Sequence, residues 1–501
     1  MKIKYIYIFQ FSIVFLFASL LNYMNIKSIK KSNPQNIEMN AESLVYNEAI
    51  YSIDNYWYLN QIKNYMNGKG FTCDSSNKLY AVRRTPLYPL FYGIHYVIFG
   101  EKGSFAAIKI SQMMLFAFSA ILIFCAVVNF TNNKRIAWWV YFFYGFNLPF
   151  ISYLSFTLTE SVSPSLVCIL LFYLSKCKLE SGFKNWFLTG LFFSVAVLTR
   201  PTIVFFLPVI ACCLVFYNRY LIKRIVPGGW AFFVGASLLF TPWIIHNYIK
   251  TNGDIVVLEK YYGDQMDYGM PNMYLKYWIA CWINPADYSS ERISNYSVAN
   301  IKNKEVVSKS HFIDSLISTI PVNVFKGNTK DEIRYAYGIL YDFYKAKETG
   351  ADLNTFKRLD SMSIDCFVKM KQRYISRAPF QYYVVTPLLV FKSLVFQSNS
   401  ATLIYLKDYD KNTFLFLIKT TLYLFNIVCC FSFFFILPFY RKYKDLIWIT
   451  GLFSSSTFFL IYFINKNFET RYIFPFLPCL FITLSILIVE TQTAIRKRLN
   501  F

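Results

Sequence analysis

The chain has 501 residues, of which 55% are hydrophobic, 20% aromatic and only 16% charged. Soluble chains average about 25% charged residues, so the composition argues against a soluble enzyme and for an integral membrane protein. The net charge of +23 lies largely in short loops between apolar runs, which fits membrane topology and anionic headgroups and excludes a nucleic-acid reader lacking any basic motif.

Taken in chain order, the first apolar run (about 5–24) follows Lys2 and Lys4 and leads into NYMNIKSIKK without a small-x-small cleavage site. A retained first span is expected rather than a cleaved signal peptide. Residues 51–71, YSIDNYWYLNQIKNYMNGKGF, place Asp54, Tyr58, Gln61/Ile62 and Tyr65 on one helical face. Gly68 and Gly70 are suited to end that helix, because glycine adopts the left-handed cap conformation at no steric cost. The stretch 85–100, TPLYPLFYGIHYVIFG, is short for a span and holds two prolines; it is expected to lie along or dip into the outer leaflet. Further spans are expected near 105–129, 136–154, 160–175, 185–199, 201–217 and 228–247, then 412–438, 446–464 and 472–491. Runs of about 20 apolar residues are long enough to cross a hydrocarbon core of about 30 Å. The stretch from about 250 to 411 is too polar for lipid; within it, 378–396 is apolar but interrupted and reads as an interfacial helix.

The expected fold class is therefore an all-α integral membrane protein. It has about ten transmembrane helices, a helical first outer loop (25–104) and a larger outer-face insertion. The expected division is 1–249, a transmembrane core that includes the first loop; 250–411, an outer-face region; and 412–501, C-terminal transmembrane helices. No internal repeat or low-complexity segment stands out.

Basic residues set the expected orientation. Alternate short connections carry Lys134/Arg135, Lys176/Lys178/Lys184, Arg219/Lys223/Arg224 and Arg441/Lys442/Lys444, and the termini add Lys2/Lys4 and Arg496/Lys497/Arg498. The opposite short connections show Arg200, Lys466 and Arg471. By the positive-inside rule the first set, with both termini, is cytoplasmic. This fits a bacterial inner membrane, with the opposite face periplasmic or extracellular.

On that reading the outer face gathers Asp54, Arg83, Arg84, Glu160, Arg200, His246 and Arg471, with Lys109 and Lys419 in the outer third of spans. Each has an ordinary alternative. Asp54 is a helix-start acid favoured by the dipole, as is Glu160, which Thr157 and Thr159 are placed to cap. The arginines and lysines are headgroup anchors, and Tyr58 is a packing aromatic. The acid pair of DYD at 408–410 reads as a solvated turn. Eleven cysteines lack any CxxC, and His95, His246 and His311 are far apart, so a structural zinc site or a disulfide framework is not expected. Pairing among Cys73, Cys281 and Cys366 stays open.

Together these residues carry a resemblance. The order Asp54…Tyr58…Gly68-Lys-Gly70-Phe71…Arg84-Thr-Pro86-Leu-Tyr-Pro89-Leu-Phe91…Gly100 resembles the first outer loop of the GT-C superfamily of polytopic glycosyltransferases. It is nearest to bacterial proteins related to the protein O-mannosyltransferases and the lipid A aminoarabinose transferases. LTES around Glu160, LTRPT around Arg200, TPWIIHNYIKTNGDIVVL (241–258) and ETRYIFPFLP (469–478) continue it in order. Two departures stand out: His246 replaces a common arginine, and Asp54-Asn55 replaces the Asp-Glu pair of the mannosyltransferases.

The resemblance implies inverting transfer of a sugar from a polyprenyl-phosphate donor to a lipid, glycan or protein acceptor on the outer face. It implies Asp54 as general base with Glu160 orienting a hydroxyl, and Arg84 and Arg471 on the lipid phosphate, with Arg83, Arg200 and Lys109 behind them. Tyr58 and His246 would line the substrate. No cofactor is called for. A divalent metal is compatible with two acids, but ligand spacing gives no positive support. Other readings are a transporter or flippase of lipid-linked sugars, or an O-antigen polymerase or ligase; the absence of repeated halves speaks against the transporter.

Overall fold

A computed structural model describes residues 2–32, 45–46, 49–50, 53–73, 82, 84–253, 271–285, 308–399, 403 and 412–499. Arg83, the DYD turn at 408–410 and the side chain of Asp54 lie outside the described residues. The chain is an all-α membrane protein, its described strands being the two-residue pair Val45–Tyr46 and Ala49–Ile50. Seven described helices are long and apolar enough to cross a membrane, and Phe183–Thr199 and Pro201–Tyr217 are shorter apolar ones. The chain divides into two compact units: residues 1–259, 396–457 and 470–501 form the first, and residues 260–395 and 458–469 the second.

In the first unit the N-terminal helices are α1 (Lys2–Ser32), α2 (Ile53–Met66) and α3 (Leu87–Thr131). They continue as α4 (Lys134–Gly145), α5 (Leu148–Tyr153), α6 (Ser163–Leu179), α7 (Phe183–Thr199), α8 (Leu207–Tyr217) and α9 (Ile222–Thr251). The span expected at 136–154 is broken between α4 and α5. Asn147 stops it there, its side chain accepting from the Phe150 N–H at 2.9 Å, and Pro149 follows in the first turn of α5. The segment 85–100, expected to lie along or dip into the outer leaflet, forms from Leu87 onward the first part of α3. It meets the remainder at Gly100, whose φ of 69° and ψ of 179° only glycine adopts readily. His95 crosses this bend, its Nδ1 and Nε2 lying 2.7 Å from the Phe91 carbonyl and the Ser111 hydroxyl respectively. α2 ends as its sequence suggests, with Gly68 and Gly70 at φ of 73° and 81°.

Helices α7 and α9 pack backbone to backbone. A Cβ added at Gly190 would lie 2.0 Å from the Phe232 carbonyl oxygen, and one at Gly235 would lie 2.1 Å from that of Phe187. Small residues allow this approach where lipid supplies no hydrophobic drive between helices.

The connections between helices sort to two ends. Lys178 donates to the Phe130 carbonyl at 2.8 Å and pairs with Asp445 at 2.8 Å, and Ser181 donates to Asn218 at 2.9 Å. The basic connections thus gather at one end of the unit. Glu160 precedes α6 and Arg200 follows α7, placing both at the other end. At 1.5 Å per residue, the 17 residues of α6 separate the two ends by about 25 Å.

The second unit is built on helices Pro271–Ile279, Lys309–Ser318, Lys330–Thr349 and Leu353–Arg377. Its core is aromatic, with Trp278, Trp282, Tyr337, Phe343, Phe367 and Tyr374 buried together. Trp278 donates to Asn328 at 2.8 Å, and Asn328 donates to the Met370 carbonyl at 3.1 Å, so two core helices share one buried amide. Thr329 and Glu332 form a reciprocal capping box, and Glu332 also pairs with Arg373 at 2.7 Å. The segment expected as one interfacial helix at 378–396 is a π-helical stretch, Gln381–Val385, running into the helix Thr386–Val395.

The α7–α9 contact generates a test. Gly235→Ala and Gly190→Ala each force a methyl into a carbonyl and should cost at least about 2 kcal/mol. Gly229→Ala, whose methyl would meet only Leu214 Cδ2 at 3.5 Å, should be neutral or slightly stabilising through helix propensity. Thermal unfolding of the three variants in detergent should reproduce that order.

Candidate active site

At the Glu160 end the chain leaves helical geometry four times, and each departure delivers a functional side chain. Pro201 ends α7, because it has no N–H and restricts the residue before it; Arg200 is held extended there at φ −139° and ψ 104°. Thr159–Ser161 form one short 3-10 turn ahead of α6. Arg471 lies on the 3-10 run Thr470–Phe476, which contains Pro475. Arg84 occupies a bend just before Pro86 and α3.

These pieces converge on one carboxylate. Glu160 is buried, and its Oε1 lies 2.9 Å from Arg200 Nη1 and 3.5 Å from Arg471 Nε. Thr159 donates to its other oxygen at 3.1 Å and accepts from Arg200 Nη1 at 3.3 Å. Neither Thr159 nor Thr157 caps α6, whose N-terminus has no side-chain cap, so the expected capping role is replaced by this bridge. The Tyr58 hydroxyl stands 3.5 Å from Thr159 Oγ1, and the Arg84 guanidinium lies over the Tyr58 ring, 5.3 Å from its centroid. Burial pushes the Tyr58 phenol above its ordinary pKa, opposed by the Arg84 charge. Tyr58 is therefore a neutral hydrogen-bonding group at physiological pH.

The loop beneath is tied by amides and hydroxyls that sequence reading passed over. Gln112 accepts from Tyr88 at 2.8 Å and donates to the Leu154 and Phe156 carbonyls at 2.9 and 3.1 Å. Ser161 donates to the Tyr153 and Phe156 carbonyls at 2.6 and 2.7 Å, and Asn22 donates to the Ile151 carbonyl at 3.2 Å. Tyr88 meets the Tyr58 ring edge-on at 5.2 Å. Gln112 thus links the support of Tyr58 to the support of Glu160. The available signal was a glutamine and an asparagine inside apolar runs, where polar side chains are costly unless they hydrogen-bond.

Arg84, Glu160, Arg200, Arg471 and Tyr58 are therefore brought together, while His246 sits apart from this cluster. Its ring stacks on Trp243, with centroids 5.3 Å apart, and meets Phe71 edge-on at 5.9 Å. It lines an apolar groove of about 750 Å³ with Ile62, Tyr65, Phe71, Leu90 and Trp243. Pro86 and Leu198 also line the groove, each two residues from a guanidinium of the cluster. Lys109 is half-buried on α3, next to the buried Ile108. Among the described residues no group of three or more His, Cys, Asp or Glu side chains is disposed to hold a metal, and Cys73, Cys281 and Cys366 are not joined by a disulfide.

The buried pairing predicts an order of destabilisation. Arg200→Gln leaves Glu160 with the longer Arg471 contact and should cost about 3–5 kcal/mol. Arg471→Gln, at a side chain 26% exposed against 8% for Arg200, should cost clearly less. Arg200→Met combined with Glu160→Met should cost less than the sum of the two single changes, which chemical unfolding in detergent would show.

Residues 83–246 match the model of a family described as dolichyl-phosphate-mannose-protein mannosyltransferase. No curated protein and no solved structure gives a match. The matched stretch contains Arg84, Glu160, Arg200 and His246, and it supports a membrane glycosyltransferase of the GT-C type that uses a lipid-linked sugar donor.

Proposed function

We propose that the chain transfers a sugar from a polyprenyl-phosphate donor to an acceptor hydroxyl on the outer face of the membrane, with inversion at the anomeric carbon. The observation that carries this reading is a set of guanidinium groups organised by one buried carboxylate at the border of a lipid-sized apolar groove. The groove suits a prenyl chain, and the adjoining Arg84 and Arg471 suit its phosphate. Arginine is apt here, because its planar fork matches phosphate oxygens and its charge is permanent.

Glu160 then acts as a positioning residue. It holds Arg200 close, and Arg471 at longer range, so that part of the positive charge remains for the leaving phosphate. Asp54 lies on α2 one helical turn before Tyr58, whose hydroxyl reaches the cluster. The acceptor oxygen attacks the anomeric carbon as the carbon–oxygen bond to phosphate breaks. The acceptor proton passes to the Asp54 carboxylate, and the lipid phosphate departs as an anion held by the arginines. The outer face follows from the charge asymmetry of the connections.

Sugar transfer in reconstituted vesicles tests this, with labelled polyprenyl-phosphate sugars, cell-envelope acceptors, and wild type compared with Asp54→Asn at equal folded protein. The mutant should lose 10²- to 10⁴-fold in transfer while still binding donor. Undiminished transfer would leave Asp54 as a helix cap. Donor crossing the bilayer without transfer by the wild type would make the chain a transporter.

A further inference from the structure

The opposite end of the first unit, about 25 Å from Glu160 along α6, holds a second pocket that the transfer reaction does not use. It has a volume of about 220 Å³, and α6, α8 and the helix Tyr440–Phe458 all contribute to its wall. Its polar groups are Lys178, Asp445, Lys444, Tyr217 and Tyr220, and Val209, Ile449 and Leu452 supply apolar wall.

Two of these groups are already committed. Lys178 bonds Asp445 and the Phe130 carbonyl, which closes that side of the pocket. Lys444 and Tyr217 are not. The Lys444 ammonium stands 5.8 Å over the Phe216 ring, while its neighbour Asp445 is taken by Lys178. The Tyr217 hydroxyl is buried, and the weakly bonding Cys213 thiol beside it leaves most of its hydrogen-bonding capacity unused. A buried hydroxyl of this kind normally has a partner.

The rim has interfacial character. Tyr220 is 65% exposed and Trp448 45% exposed, and aromatic residues of this type favour the headgroup level of a bilayer. Arg219, Lys223, Arg224 and Arg441 lie within a few residues of the rim along the chain, making it the most basic end of the unit.

We propose that this pocket is a binding site for the phosphodiester headgroup of an anionic phospholipid. Lys444 provides the charge and Tyr217 a hydrogen bond to a phosphate oxygen, and the apolar wall receives the start of an acyl chain. A free phosphate shares the headgroup chemistry but makes no use of the apolar wall, and a volume several times the roughly 30 Å³ of a water exceeds what it would fill. The proposal is independent of the donor assignment at the Glu160 end.

Native mass spectrometry of the full chain released from nanodiscs tests it, using phosphatidylglycerol, phosphatidylcholine and inorganic phosphate as probes. Wild type should retain phosphatidylglycerol in preference to phosphatidylcholine. Lys444→Gln should reduce that retention at least ten-fold and Tyr217→Phe by a smaller factor, whereas Arg441→Gln, on the same face outside the pocket, should leave most of it. Lys444 is on the surface, so the variant should fold, and an unchanged unfolding profile in detergent would verify that. Equal retention by Lys444→Gln and wild type would overturn the proposal. So would displacement of the lipid by millimolar inorganic phosphate, which would make the pocket a free-anion site.

Discussion

A carboxylate buried at the end of a helix bundle is the constraint on which the rest of this structure depends. Glu160 has given up water, and a charge in that position persists only if fixed cations and donors surround it. Arg200, Arg471 and Thr159 meet that need, and each comes from a different place in the chain. Holding them there requires the break after α7 at Pro201, the short turn ahead of α6 and the 3-10 entry to the last helix. It also requires the loop from 151 to 161, whose carbonyls are satisfied by Asn22, Gln112 and Ser161. Packing of α7 on α9 through Gly190 and Gly235 fixes the helix that carries Arg200.

The same arrangement sets the charged cluster beside an apolar groove. Arg84 and Pro86 belong to one short bend, as do Leu198 and Arg200 at the end of α7; in each case the first points to charge and the second to the groove, or the reverse. A lipid-linked donor is a phosphate joined to a long apolar chain, so a site for it needs this juxtaposition at a few residues' distance. Tyr58 ties Arg84 to the rest of the cluster: its ring carries Arg84 and its hydroxyl reaches Thr159.

Much of this was legible in the sequence, because membranes penalise charge. Glu160, Arg200 and Arg471 stand out as isolated ions at the ends of apolar runs, and the alternation of basic connections anticipates the gathering of Lys178, Asn218 and Asp445 at one end. Which ion meets which was not legible, since the partners are distant in sequence and no local pattern pairs them. Thr159 was read as a cap because its position before a helix fits that role locally; tertiary contact with Arg200 and Glu160 redirected its hydroxyl. The bend at Gly100 was also hidden, because 85–100 and 105–129 are both apolar and their junction is set by one backbone conformation. Gln112 carried a signal, a polar side chain in an apolar helix, that charge-based reading gives no weight.

The central claim is that the cluster around Glu160 holds a lipid phosphate whose chain lies in the adjoining groove. A cryo-electron microscopy structure of the full chain in nanodiscs loaded with polyprenyl phosphate tests it most directly. The account predicts phosphate density within hydrogen-bonding distance of Arg84 or Arg471 and chain density along Leu90, Trp243 and His246. Phosphate bound elsewhere, with the groove filled by ordinary bilayer lipid, would contradict it.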